Sequence, residues 1–576
     1  MKNSWTNNFI LCVLAAVLCC GNLAMAHGGG SPPGSGQDEG SLEDRRAAFE
    51  AALRDVLDEE QRKALRNAFD HSETIGEIMT LLRALRPEEA NRVREQAKLP
   101  KDFDHLFHGW VLHQQGLYEK AHQQFSKVDK ATLEVDGYLA NRYDELMKTA
   151  AALQDFEVFE TQNFSIRYQD GPDKVMLAYL PDILERVYSE YARIFQFTRG
   201  EKIIVEVMPD YKLFSYASAL TKSQIETTGT IALCVENRLV MMTPRRVARG
   251  YYWPDVIAHE YVHYILTKHS HDKAPLWFQE GVAKYFEAKW EKPDADPLGA
   301  MLESSLARAI KADSFLTVEQ MMPSFAALPT AELATQAYAQ TASMVDYLCQ
   351  SKSEDVIYKI AVDLPQKGDI DSVLSDMLGV PFSTFEEDWK KWARTRDYKV
   401  HFEVDPFQGV TLLDEDASTE GIAELDKEND KGRKHTRLGD LLLERNRYQA
   451  ALQQYQKTVV ANETIHRQIL LRMLRCLQFL NRPRDMIDLI QENVPVLHED
   501  ATMLVHLGRA YLELDDKASS AANLRAATRV NPFYPDIYRL LMQTYDAEKD
   551  AAEIQEIQRL LETLNKKPVG NKETKT

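Results

Sequence analysis

The 576-residue sequence predicts an α+β middle domain set between an N-terminal helical region and a C-terminal α-solenoid. Three observations carry that fold class. Residues 155–400 open with short alternating and apolar runs and continue with helical patterns, the strands-then-helices order of α+β domains. Residues 42–153 place apolar side chains at spacings of three and four. Residues 435–565 repeat with a period near 34, the mark of stacked helical pairs.

The chain begins MKNSWTNN, then runs almost wholly apolar from 9 to 20 and presents Ala24 and Ala26 before position 27. This reads as a signal peptide over 1–26, so export to a periplasm or the exterior is expected, with no membrane span after cleavage. Residues 27–41 (HGGGSPPGSGQDEGS) read as a flexible linker. Cys12, Cys19 and Cys20 lie within the signal. Cys234, Cys349 and Cys476 are what remains, too few and too far apart for a disulfide framework or a cysteine zinc site.

Over 42–153, Leu53, Val56 and Leu57, then Ile78, Leu81, Leu82 and Leu85 keep helical spacing. Gly109, Gly116, Tyr118, Ala121 and Phe125 sit as in one tetratricopeptide-like unit. The middle domain, 154–402, starts with an alternating stretch at 156–168 that predicts one strand. An amphipathic helix follows at 175–195, then a strand at 203–207 (IIVEV) and two more at 230–235 and 238–243 around Glu236 and Asn237. FEEDWKKWARTRDY at 385–398 closes the domain with a helix burying Phe385, Trp389 and Trp392. Residues 403–434 are acidic and weakly periodic, an expected linker. Gly439, Leu474, Gly508 and Met542 mark four successive units over 435–565, and 566–576 is an expected disordered tail.

Charge narrows the function. With 69 Lys and Arg against 88 Asp and Glu the formal net charge is −19, and no basic stripe offers a track for phosphates, so nucleic acid is excluded as the main partner. The chemistry concentrates in DVIAHEYVHYILTKHSHDKAPLWFQEGVAKYFE, 255–287. HEYVH at 259–263 is an HExxH motif on an apolar helix that Pro254 can start. His259 and His263 lie one turn apart on one face, where both imidazoles reach a single zinc ion. Glu260 points beside them, as general base for a metal-activated water.

A catalytic zinc needs a third protein ligand. His269 has the spacing of the extended metzincin pattern. That pattern turns back on a Gly where this chain has Leu266, so His269, like His271, reads better as a polar group at the helix C-terminus, where a cation is favoured. Glu280, seventeen residues after His263 and past Pro275 on a second helix, is the stronger candidate. Glu287, two turns further on, reads as either a support for a ligand or a solvated carboxylate.

WFQEGVAKYFE resembles the WLNEGFA-type segment of gluzincin aminopeptidases, and HExxH followed by PxWxxEGxA resembles the broader peptidase MA-like gluzincins, often found beside tetratricopeptide repeats. The resemblance covers roughly 155–400. It implies a zincin-like fold, Zn2+ as cofactor, His259, His263 and Glu280 as its ligands, and Gly281 as relief from crowding beside the metal. It also implies a tyrosine donating to the oxyanion, and AYAQTASMVDYL at 337–348 makes Tyr338 the candidate. The G-A-M-E-N strand of the aminopeptidases survives only as Glu236 and Asn237 in GTIALCVEN, 229–237. The function implied is zinc-dependent hydrolysis of peptide bonds in a peptide or protein substrate, with the repeats as a site for substrate or partner protein. The rival is a repeat scaffold whose peptidase-like domain has lost activity.

Overall fold

The computed structural model describes residues 70–133, 137–198, 200–218, 220–401, 410–413, 432–462, 465–494 and 500–566. The expected signal peptide, the 27–41 linker and the 566–576 tail, save Lys566, lie outside them. No helix among the described residues is long and apolar enough to cross a membrane.

The described residues are mostly helical with one small mixed sheet. Helices Ser72–Arg83, Pro87–Ala97, Lys101–Gln114, Tyr118–Phe125 and Gly137–Leu153 form the N-terminal region. Its central hairpin closes at Gly109, where a Cβ would stand 2.5 Å from the Phe125 ring. Only a residue without a side chain admits that crossing.

Five strands follow: β1 (Glu157–Glu160), β2 (Phe164–Tyr168), β3 (Ile203–Met208), β4 (Ala232–Val235) and β5 (Arg238–Met242). They lie in the order β1-β2-β3-β5-β4. β2, β3 and β5 are parallel, while β1 and β4 run antiparallel at the edges. The stretch expected to be one strand at 156–168 is therefore a hairpin. It breaks at 161–163, where the Thr161 hydroxyl accepts from the Phe164 amide and the Glu185 carboxylate accepts from the Asn163 amide. Those side-chain bonds replace the ladder. The helix expected over 175–195 also divides. A 3-10 segment, Pro172–Ala178, precedes an α-helix, Leu180–Ile194, opened by Pro181 in its first turn.

β3 and β5 are buried along their full length. One continuous core joins them to the N-terminal helices (Trp110, Tyr118, Phe125) and to the HExxH helix, Trp253–Ser270 (Tyr261, Val262, Ile265). Helices Leu276–Phe286 and Ala331–Ser351 pack beside that helix and complete the site.

The C-terminal array pairs Arg433–Glu444 with Tyr448–Asn462, Arg467–Phe479 with Pro483–Asn493, Ala501–Glu513 with Lys517–Thr528, and Pro535–Thr544 with Ala551–Leu564. Gly439 meets Tyr455 and Gly508 meets Leu524 at the helix crossings, just as Gly109 meets Phe125. The glycine and its bulky partner are sixteen residues apart in all three hairpins. Of the expected 403–434 linker, the described residues 410–413 are held against the middle domain. Leu412 bridges Val247, and the Ala248 amide donates to the Thr411 carbonyl at 2.9 Å.

Candidate metal centre

The HExxH helix starts at Trp253 with Pro254 in its first turn and ends at His271, whose φ of +51° closes it. Its geometry presents His259 and His263 on one side, with Nε2 atoms 3.1 Å apart. The helix Leu276–Phe286 brings Glu280 against them, Oε2 standing 3.5 Å from His259 Nε2 and 3.6 Å from His263 Nε2. These three ligand atoms form a near-equilateral triangle. Zinc bonds of about 2.0–2.2 Å, spread tetrahedrally, put neighbouring ligand atoms about 3.4 Å apart. Glu280 Oε2 is sealed from solvent and makes no regular hydrogen bond. A buried anionic oxygen left so is costly unless a cation meets it. Among the described residues, His259, His263 and Glu280 are the one such group whose atoms converge closely enough to hold a metal ion.

The outer ring nitrogens are engaged. His259 Nδ1 lies 3.2 Å from Glu287 Oε2, and His263 Nδ1 lies 3.3 Å from Gln279 Oε1. An acceptor on Nδ1 places the proton there and leaves Nε2 as the ligand lone pair. Lys284 pairs with the other oxygen of Glu287 at 2.7 Å. Glu287 is thus a buttress to His259 and only partly exposed. Gln279 is a site residue that motif spacing missed, although it stands directly before Glu280.

The charge balance favours a cation. Burial works against a charged His259, yet the carboxylates of Glu280, Glu287 and Glu260 around it raise its pKa to about 10. Burial likewise opposes the Glu280 anion, and the two histidines overcome it, holding the carboxyl well below its usual range. Both shifts express one fact: three carboxylates, Glu260, Glu280 and Glu287, surround two imidazoles. Glu260 itself is 8% exposed. Burial raises its pKa against the pull of His263 and His259, and the Cys234 backbone amide on β4 favours its anion. A buried, raised carboxyl is suited to accept and return a proton.

Tyr338, on helix Ala331–Ser351, lies with its ring centroid 6.5 Å from that of His259. Phe325 packs on its other side at 4.9 Å. Burial, then Glu280, Glu260 and Glu287, push its pKa well above the ordinary value, so the hydroxyl keeps its proton.

One expectation changes and two others are refined. Gly281 does not face the metal ligands: a Cβ there would stand 2.6 Å from the Thr341 carbonyl oxygen and 2.9 Å from Val345, so the glycine sets the approach of the Tyr338 helix. His269 and His271 do lie at the helix end, His269 in the last turn and His271 at the cap, and neither joins the candidate ligands, but the favoured charge is absent. Burial lowers both pKa values; His269 Nε2 meets the Phe195 carbonyl at 3.0 Å and His271 stacks its nitrogens against Arg86. Glu236 is turned into the N-terminal region, where Trp110 donates to it at 2.5 Å and Arg142 and Gln114 also bind it. It cannot serve a substrate amine from there.

A family model described as the Peptidase MA superfamily matches residues 217–395, which hold His259, Glu260, His263, Gln279, Glu280, Glu287 and Tyr338. No curated protein matches. Seven solved chains match. One, titled "Crystal structure of APC/C hetero-tetramer Cut9-Hcn1", shares 11% identity over 87% of this chain and 99% of that chain, at a TM-score of 0.19 that carries no argument about fold.

Proposed function

We propose that this protein is an exported zinc peptidase of the HExxH…E, gluzincin type, acting on peptide or protein substrates. The observation that carries the reading is the triangle of His259 Nε2, His263 Nε2 and Glu280 Oε2, at 3.1, 3.5 and 3.6 Å, with Glu260 beside it. These three residues would hold the ion. Zn2+, when bound, supplies Lewis acidity and a water that ionises near neutral pH.

The protein's own groups do the rest. Glu260 takes a proton from the attacking water and delivers it to the leaving amine. The Tyr338 hydroxyl, kept protonated, donates to the carbonyl oxygen as negative charge develops there. β4 is a sheet edge whose Cys234 amide faces Glu260, so an extended peptide can add beside it as a further strand. The MA-superfamily match over 217–395 and the four repeat-like helical pairs support a hydrolytic domain joined to a protein-binding array. The apolar run at 9–20 supports export.

Purified full-length protein is expected to carry one zinc per chain by mass spectrometry of the metal, and to cleave an unfolded protein such as casein. Glu260→Gln should keep the zinc and lose about 10²–10⁴-fold in rate, while His263→Ala should lose the zinc. Absence of stoichiometric metal, or equal turnover by wild type and Glu260→Gln, overturns the reading.

A further inference from the structure

We propose that the N-terminal helical region is a positioning element of the hydrolytic site, acting through Glu236 and Asn237 at the turn between β4 and β5; the catalytic part of this inference rests on the peptidase reading above.

The turn is an unusual one to find unsupported. Glu236 and Asn237 adopt φ of +53° and +61°. Two consecutive left-handed residues suit the twist of a tight hairpin and Asn237 tolerates the conformation, but for Glu236 it costs about 1 kcal/mol or more. Both residues are also buried, at 9% and 3% exposure. Contacts from the N-terminal helices meet that cost. The Glu236 carboxylate receives Trp110 Nε1 at 2.5 Å, Gln114 Nε2 at 3.1 Å and the Arg142 guanidinium. Asn237 Nδ2 donates to the Gln114 carbonyl at 3.1 Å. Directly behind the turn, Arg238 pairs with Glu206 at 2.7 Å, and Tyr118 donates to the same Glu206. A buried carboxylate is worth keeping only while its partners stay in place.

The other side of the turn reaches the site. The Tyr264 hydroxyl donates to Asn237 Oδ1 at 3.2 Å. Tyr264 follows Glu260 by four residues, one helical turn, so both side chains leave the HExxH helix in the same direction. The face of the helix that carries Glu260 packs against β4, and Tyr264 on it meets Asn237 at the turn. β4 packs on the HExxH helix, and its turn is tied to that helix by the Tyr264–Asn237 bond and to the N-terminal region through Asn237 and Gln114. Glu236 and Asn237 are positioning residues: they touch no substrate and act by fixing β4 against Glu260.

The test uses the full chain with zinc bound. Asn237→Gly suits the left-handed backbone and removes both side-chain bonds. Tyr264→Phe removes only the hydroxyl. Glu236→Gln keeps the shape and discharges the clasp. Hydrogen exchange of the β4 amides is expected to quicken about tenfold in each, as the loss of one or two hydrogen bonds implies, with β2 and β3 unchanged. kcat on a fixed peptide should fall about tenfold with zinc stoichiometry retained, and Asn237→Gly combined with Tyr264→Phe should cost no more than the larger single change. Unchanged β4 exchange, or a double variant whose losses multiply, overturns the proposal. A wild type that hydrolyses nothing overturns the peptidase reading instead, and the exchange measurement still decides whether the helical region holds β4.

Discussion

Glu287 shows how much a single residue can depend on its surroundings. Seven positions after Glu280 it could have been one more solvated carboxylate on a helix face. In the structure it stands 3.2 Å from His259 Nδ1, with Lys284 at 2.7 Å on its other oxygen. An acceptor at Nδ1 fixes the imidazole's tautomer and orientation, and losing such a partner typically costs 10–100-fold in metal affinity. Glu287→Ala should therefore weaken zinc binding by about that factor in competition with a coloured chelator. Glu287→Gln retains an acceptor and should lose clearly less. Wild-type affinity in the alanine variant would return Glu287 to the class of surface carboxylates.

Among the elements, the closest packing beside the site is between helices Leu276–Phe286 and Ala331–Ser351, which carry Glu280 and Tyr338. Gly281 allows it, since any Cβ would press on the Thr341 carbonyl at 2.6 Å. Backbone cannot step aside as a flexible side chain can. Gly281→Ala should cost about 1–3 kcal/mol, the scale of overpacking a filled interior, read as a lower denaturant midpoint. Because the displaced helices carry Glu280 and Tyr338, zinc retention should fall in the same variant. The contrast with Glu287 shows what the sequence makes legible. HExxH and the Glu280 helix could be read because i, i+4 spacing and apolar periodicity are local. The role of Gly281 could not, because its partner Thr341 is sixty residues away. For the same reason Glu236 looked like a remnant of a substrate-binding strand until Trp110, Gln114 and Arg142 were seen around it. His269 and His271 sit at the helix end as their spacing implied, but the charge the helix dipole favours there is opposed by burial. The single strand expected at 156–168 failed because the alternation of polarity runs straight through a turn made by Thr161 and Asn163.

At the scale of the whole molecule, the period of 34 announced the repeats but not where they sit. They are seated on the start of the HExxH helix. The Tyr251 and Trp253 amides donate to the Val530 and Arg529 carbonyls at 3.2 Å, and Trp253 Nε1 donates to the Thr528 carbonyl at 3.1 Å. Asn531 Nδ2 reaches the Pro244 carbonyl, and Arg529 binds Glu291 at 2.7 Å and Tyr252 at 3.2 Å. Most of these acceptors are backbone carbonyls, which no pattern of residue types encodes. Gly250 completes the fit, since a Cβ there would meet the Val530 carbonyl at 2.6 Å. So many directed bonds make the array one body with the peptidase-like domain and couple its unfolding to that of the HExxH helix. Wild-type protein should then lose helix and bound zinc in one thermal transition. Asn531→Ala with Arg529→Ala removes two side-chain anchors, one of them charged but partly exposed, for a combined loss of about 1–3 kcal/mol. The pair should split the transition, with the repeats melting first and zinc released later. Two separate transitions already in the wild type would show that the array hangs on the domain without supporting it.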